Sequence, residues 1–176
     1  GVGIGTVMPT DDNGSIEFAG TRDLDVANST RPTLTFEYFI ADNLGIEVLA
    51  ATPFDHDIDI EGGFEGSVRH LPPTVSLLYH VPTGTAFTPI VGIGVNYTTF
   101  WDESLKAPLN GADLELEDSW GIAATVGVDY AISDNSAIRA NARYIDIDSD
   151  VKVNGTKVGE ANIDPWVFGV SYIYKF

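Results

Sequence analysis

The chain has 176 residues, of which 26 are acidic and 9 are Lys or Arg, so its formal net charge at pH 7 is −17. This charge argues against nucleic-acid binding, which needs a basic surface. A hydrophobic share of 44% argues against disorder, and the lack of cysteine excludes disulfides and thiolate metal sites. The length fits one domain covering residues 1–176. No run of 18 apolar residues is present, so a closed barrel is the remaining way to span a bilayer.

Eight segments alternate large apolar residues with small or polar ones, which is the period of a strand with one apolar face. In chain order, the predicted strands cover residues 2–8, 32–40, 44–51, 68–81, 87–100, 120–131, 137–147 and 166–176. The last strand shows the pattern most clearly. Its apolar face carries Trp166, Phe168, Val170, Tyr172, Tyr174 and Phe176, and its other face carries Val167, Gly169, Ser171, Ile173 and Lys175. A soluble lipocalin-like carrier, the alternative barrel, needs the reverse arrangement.

The connections between these strands alternate strictly between long and short. Long polar segments cover residues 9–31, 52–66, 101–119 and 148–164, and tight turns follow residues 40, 81 and 132. This alternation places all long segments on one side of the membrane, as in outer-membrane barrels. The sequence therefore predicts an all-β protein, an eight-stranded antiparallel up-and-down transmembrane β-barrel.

Aromatic residues recur on the predicted apolar faces at a spacing of ten residues. The pairs are Phe87 with Tyr97, Trp120 with Tyr130, and Trp166 with Phe176. Ten residues of a tilted strand rise roughly 25 Å, which is the height of the apolar band between the two aromatic girdles of such a barrel. The spacing therefore predicts where the membrane boundaries lie.

Six charged residues fall on the predicted inward faces, namely Lys175 and five candidates for a plug of the lumen. The five candidates are Glu37, Glu47, Asp129, Arg139 and Arg143. An eight-stranded barrel is just wide enough for side chains to fill it, so we expect opposite charges to pair there. The set predicts a polar plug of ion pairs, with a constriction or gate as the alternative. Inward glycines on the fifth and sixth predicted strands indicate a narrow cavity nearer the outer end.

Several segments have a specific order and spacing, and they are residues 89–100, 118–121, 126–130, 144–148 and 163–168. Together they resemble the OmpW family of small outer-membrane barrels, and the resemblance covers the second to eighth predicted strands. It implies a barrel in the outer membrane of a Gram-negative bacterium that takes up small, mostly hydrophobic molecules passively. It further implies a hydrophobic channel in the outer half and an exit through the barrel wall into the membrane.

Two adjacent prolines, Pro72 and Pro73, lie inside the fourth predicted strand. Neither has an N–H to donate to a neighbouring strand, and lipid cannot satisfy the acceptors that this leaves. We predict either that both prolines lie above the membrane, where water satisfies the backbone, or that they open a lateral gate for an apolar solute. Leu71, Leu78 and Phe39 are the candidate lining residues of such a gate.

The remaining chemistry-bearing residues favour no catalytic or metal site. Carboxylates alternate at residues 55–59 and 146–150, but Val151 and Lys157 stand where a calcium loop needs glycine and a bidentate glutamate. We therefore predict a solvated rim, with no metal and no cofactor. The chain has no nucleophile elbow and is predicted not to be an enzyme. A lipid-modifying barrel enzyme is the alternative, and His70 is its candidate residue.

The sequence thus predicts a monomeric barrel that contacts outer-membrane lipids and lipopolysaccharide and passively admits a small hydrophobic solute. The alternative is a structural or surface-interaction barrel whose lumen is plugged by the five inward charges and which transports nothing.

Overall fold

The computed structural model of the chain describes residues 1–10, 14–17, 21–60, 64–105 and 114–176. In that part of the chain, no helix is long and apolar enough to span a membrane. The strands are β1 (Val2–Met8), β2 (Gly14–Glu17), β3 (Thr21–Val26), β4 (Ser29–Ala41), β5 (Leu44–Ala51), β6 (Phe54–Ile60), β7 (Phe64–Leu71), β8 (Thr74–His80), β9 (Phe87–Leu105), β10 (Leu114–Leu116), β11 (Ser119–Ser133), β12 (Ser136–Ile145), β13 (Asp148–Val153), β14 (Thr156–Asn162) and β15 (Trp166–Tyr174).

Eight of these strands close into an antiparallel barrel in the order β1–β4–β5–β8–β9–β11–β12–β15. The barrel closes where β1 pairs with β15, with Val2 opposite Tyr172 and Met8 opposite Trp166. Each barrel strand pairs with the barrel strands that precede and follow it along the chain, which is the up-and-down arrangement. The predicted fold class is therefore confirmed.

The two faces of the barrel wall differ as the alternation predicts. On β8, Val75 and Tyr79 are 47% and 44% exposed, whereas Thr74 and Ser76 are 1% and 2% exposed. The outward faces of the other barrel strands likewise carry large exposed hydrophobic residues. A continuous apolar belt of this kind is stable in contact with lipid.

Two aromatic pairs mark the ends of this belt. Tyr97 and Trp120, on neighbouring strands, have ring centroids 4.8 Å apart at the end of the barrel that bears the long connections. Phe87 and Tyr130 form the corresponding pair, 4.9 Å apart, at the end with the tight turns. The predicted ten-residue spacing thus separates two aromatic girdles.

The long polar segments at the outer end form strands over much of what the structure describes. Strands β6 and β7, β13 and β14, and β2 and β3 form hairpins, and β9 continues to Leu105. They form an outer sheet above the barrel in the order β10–β13–β14–β2–β3–β6–β7–β9. The reason is visible in β13, where Ser149, Val151 and Val153 are buried while the intervening residues face outward. Within these connections, residues 11–13, 18–20, 61–63 and 106–113 lie outside the described part.

The fourth predicted strand, residues 68–81, is divided in the structure. Strand β7 ends at Leu71 and β8 begins at Thr74, so the two prolines separate a strand of the outer sheet from a strand of the barrel. Both parts pair with β9 in the same register, Leu71 opposite Thr99 and Thr74 opposite Asn96. Strands β7 and β8 therefore follow one another along the same edge of β9, and the two prolines lie between them.

Candidate functional site

The inward charges of the lower barrel, on the side of the tight turns, meet around Arg139 of β12. Arg139 Nε donates to Asp129 Oδ1 at 2.8 Å, Nη1 donates to Glu47 Oε2 at 2.8 Å, and Nη2 donates to Glu37 Oε2 at 3.0 Å. Arg143 Nη2 donates to Glu47 Oε1 at 2.5 Å. The structure thus brings the five predicted residues together, and we call this set the lumen network.

Two further side chains complete the lumen network. Arg143 Nε donates to Thr125 Oγ1 at 2.9 Å, which gives the guanidinium a second partner. His80 of β8 lies 2.6 Å from Glu37 Oε1 through Nε2 and 3.8 Å from Asp129 Oδ2 through Nδ1. The inward position of His80 was predictable from strand alternation, but its partners lie on other strands far along the chain.

The lumen network is cut off from bulk water. Glu47, Asp129, Arg139 and Arg143 are between 2% and 5% exposed. Each of these charges meets an opposite charge at hydrogen-bond distance, which is the condition for keeping ionised groups at such depth. The network therefore occupies the lumen with paired charges instead of with a column of water.

Beside the lumen network lies a small cavity of about 30 Å³. Its lining residues include Thr33, Thr35, Glu47, Asn141, Arg143 and Val167. The inward glycines of β9 do not widen it, because a Cβ at Gly92 or Gly94 would overlap Leu78 or Ser76. The space expected beside these glycines is thus filled by residues of β8, and a Cβ at Gly121 or Gly127 of β11 would likewise overlap Asp146 or Ala140.

The outer half of the interior contains a large apolar cluster. The outer apolar cluster consists of the buried residues Val7, Phe54, Phe100, Leu116, Ala123, Ile145, Ile147, Val151, Ala161, Ile163 and Val167. His70 lies beside it, with its ring 5.5 Å from that of Phe54 and 5.8 Å from that of Phe100. His70 thus lies on β7 of the outer sheet, as the enzyme alternative expects, but it is buried at 1% exposure.

The ladder of hydrogen-bonded pairs in the wall lapses beside the two prolines. Leu49 of β5 is opposite Thr74 of β8, and the next pair along the same line is Phe54 of β6 with His70 of β7. Residues 50–53 therefore face residues 71–73 without a ladder pair, and we call this stretch the proline break. Its two sides differ in length by one residue, so regular pairing cannot simply continue through it.

The two prolines face different neighbours. Tyr97 N donates to Pro73 O at 3.1 Å, and His80 N donates to Asn43 O at 2.8 Å. Between residues 72 and 80, the backbone N–H and C=O groups of odd-numbered residues therefore point to β9, and those of even-numbered residues point to β5. Pro72 is even and is directed at the break, whereas Pro73 is directed at Tyr97. The N–H that Pro72 lacks would have pointed to β5, so only this proline removes a donor from the gap between β5 and β8.

The proline break lies at the outer membrane boundary. The Tyr97 amide donates to the Pro73 carbonyl, and the Tyr97 ring contacts that of Trp120 in the outer aromatic girdle. The break is thus level with the outer girdle. This level lies between the two alternatives that the sequence left open, prolines above the membrane and a gate within the membrane-spanning wall. Leu71 adjoins it, but Leu78 lies about 16 Å further along the strand, and Phe39 packs on His80 with centroids 5.0 Å apart. The structure does not bring these last two candidates to the break.

Carboxylates also gather on the outer sheet. Oxygens of Asp146, Asp148 and Asp164 lie within 4.8 Å of one another. Partial burial, followed by the nearby charges of Asp164, Asp146 and Glu160, raises the pKa of Asp148 above its usual value. The side chains of the other alternating segment, residues 55–59, lie outside the described part. The cluster fits the predicted acidic rim. Asp146 and Asp148 belong to the alternating segment seen in the sequence, but the approach of Asp164 was not predictable, because it is distant in sequence.

Comparison with known proteins identifies the family. The OmpW family model matches residues 2–176. Outer membrane protein W of Vibrio cholerae is 39% identical over 187 residues, covering 99% of this chain and 86% of the relative. The crystal structure of OprG from Pseudomonas aeruginosa matches with a TM-score of 0.90 at 35% identity, covering 99% of this chain and 93% of OprG.

A more distant relative carries a descriptive name. The dibenzothiophene metabolism operon protein PahQ of Pseudomonas aeruginosa is 25% identical over 130 residues, covering 72% of this chain and 60% of PahQ. The near-complete family match, the identity to outer membrane protein W and the shared barrel agree with one another. The chain belongs to the OmpW family, and its barrel is one of the Gram-negative outer membrane.

Proposed function

We propose that the barrel is a passive channel for small, mostly apolar molecules that enter from outside and leave sideways into the membrane. The observation that carries this proposal is the proline break at the level of the outer girdle, beside the outer apolar cluster and above a closed polar network. A single chain closes the barrel, so we propose that the channel works as a monomer in contact with outer-membrane lipids and lipopolysaccharide.

The lumen network supports a sideways route over a straight one. A solute moving straight down would have to separate Arg139 from three carboxylates, each within 3.0 Å. Separating buried pairs costs about 3–5 kcal/mol when one partner is lost. An apolar solute offers no compensating hydrogen bonds, so the lower lumen acts as a plug toward it.

The outer half supports an apolar solute. Its interior contains a cluster of Val, Ile, Leu, Phe and Ala side chains, which gives more favourable burial to an apolar molecule than to a sugar or an ion. The name of PahQ, taken from a dibenzothiophene metabolism operon, associates one relative with an apolar aromatic compound. Both points favour a hydrophobic solute class.

The decisive measurement is solute entry into lipid vesicles that contain the refolded protein. We expect faster entry of a small apolar solute and no change for a hydrophilic solute of similar size. Faster entry of both would indicate a water-filled pore and contradict the plug. Entry of neither would favour the alternative, a structural or surface-interaction barrel, which the filled lumen also fits.

The register of the prolines gives a sharper test of the lateral gate. Pro72→Val supplies an N–H directed at β5 and should close the break, so we expect apolar uptake to fall at least about fivefold. Pro73→Val supplies an N–H directed at Tyr97 and is the matched control, with uptake close to that of the unmodified protein. Equal uptake by the two variants would contradict a gate at this position.

A further inference from the structure

A chain of buried polar side chains lies on the lumen side of the proline break. It consists of Thr74, Asn96 and Thr98, which are 1%, 0% and 0% exposed. Thr98 Oγ1 donates to Asn96 Oδ1 at 2.6 Å, and Asn96 Nδ2 donates to Thr74 Oγ1 at 3.1 Å and to Pro73 O at 3.2 Å. Thr74 Oγ1 in turn donates to Pro72 O at 3.1 Å. We call this set the threonine clasp.

The last of these bonds replaces one that the wall lacks. The Pro72 carbonyl points toward β5, where a regular ladder would supply the amide of Ala51 as its donor. The ladder ends at the pair Leu49 and Thr74, and the hydroxyl of Thr74 bonds the Pro72 carbonyl from within its own strand. An acceptor without a donor is costly beside lipid or an apolar solute. The clasp removes that cost on the β8 side of the break.

We infer that Thr74 is the positioning residue that keeps the break open and its β8 edge compatible with an apolar solute. Asn96 holds the Thr74 hydroxyl in place and ties Pro73 to β9, so any widening occurs toward β5 and β6. This inference rests on the proposed lateral exit for its role in transport, but the state of the wall can be measured without transport.

The residues around the clasp supply matched variants. Thr74→Val keeps the shape of the side chain and removes its hydroxyl, whereas Thr74→Ser keeps the hydroxyl. Ser76 lies two residues further on the same face of β8, is 2% exposed, and has a side-chain oxygen with no hydrogen-bond partner in the described part of the chain. Ser76→Ala therefore removes a buried hydroxyl from the same strand without touching the clasp.

The first readout is amide hydrogen exchange in lipid vesicles. In Thr74→Val, the Pro72 carbonyl must take the amide of Ala51 across the break, so we expect exchange at Ala51 to slow about tenfold. Thr74→Ser and Ser76→Ala should stay within twofold of the unmodified protein. Asn96→Leu is the second variant, and we expect faster exchange at Tyr97 because Pro73 loses its side-chain tie.

The second readout is entry of the apolar solute, which should fall at least fivefold in Thr74→Val and be retained in Thr74→Ser. Unchanged exchange at Ala51 in Thr74→Val overturns the clasp whatever the uptake shows. Slower exchange in a protein that never admits the solute supports the clasp and counts against the proposed function alone.

Discussion

At the scale of residues, Arg139 has the largest number of charged contacts in the lumen. It donates to carboxylates from three other strands, Glu37 of β4, Glu47 of β5 and Asp129 of β11, and is itself 4% exposed. One side chain therefore ties together segments that are far apart in sequence. Its removal would leave three carboxylates in the lumen with fewer cations.

We expect Arg139→Met to lower the free energy of unfolding by about 3–5 kcal/mol, since it leaves buried carboxylates without their cation. Urea unfolding in detergent micelles measures this change. Arg69→Met is the control, because the ion pair of Arg69 with Asp102 has side chains 51% and 60% exposed and such pairs contribute about 0–1 kcal/mol. Equal losses in the two variants would contradict a stabilising lumen network.

Single residues also show which side-chain positions could be predicted from the sequence. The inward positions of Glu37, Glu47 and Arg139 follow from strand alternation. The place of His80 beside Glu37 does not, because it depends on how β4 and β8 are arranged across the lumen. Likewise, alternation could not show that Thr74 bonds the Pro72 carbonyl, since that bond lies where the ladder to β5 ends.

At the scale of elements, the hairpin of β13 and β14 shows how the outer sheet is built from segments with many polar residues. Its turn is Asn154-Gly155, with φ of 51° and 76°. Positive φ at both central residues is the two-residue hairpin turn that matches the twist of strands. The Asn-Gly pair and the alternation of Ser149, Val151 and Val153 were available in the sequence, but the carboxylates between them favoured a solvated rim.

We expect Gly155→Ala to loosen this hairpin selectively, because alanine at positive φ costs about 1–2 kcal/mol. Amide exchange should accelerate in β13 and β14 and stay unchanged in β11 and β15. Thr156→Ala alters an exposed neighbour in the same hairpin and should leave both regions as they are. Faster exchange throughout the barrel would mean that the outer sheet and the barrel unfold as one unit.

At the scale of the whole molecule, the membrane determines which residues may stand on the outer face. Val126 of β11 is 55% exposed and lies between Trp120 and Tyr130, which belong to the two girdles. The barrel, its strand number and its aromatic boundaries were predictable, because they follow from the period of the pattern and the length of the connections. The outer sheet was not, because its strands are short and highly charged.

On the lipid-facing surface, the loss of stability caused by a charged side chain should depend on its depth in the membrane. Val126→Arg, near the middle of the belt, is expected to destabilise the barrel by about 2–4 kcal/mol, and Ile132→Arg, beyond the lower girdle, by about 0–1 kcal/mol. Urea unfolding from lipid vesicles separates these two values. Equal destabilisation by the two variants would contradict the position of the membrane that the aromatic girdles indicate.

The closure of the barrel between β1 and β15 also has a kinetic consequence. Because Val2 pairs with Tyr172, the contact that closes the wall joins residues far apart along the chain. Ordering a loop of that length must precede any gain from the contact, and folds rich in such contacts assemble slowly. Until that moment the chain carries two open strand edges, which are templates for association with other chains. The period before closure is therefore when this protein depends most on being kept apart from its own copies.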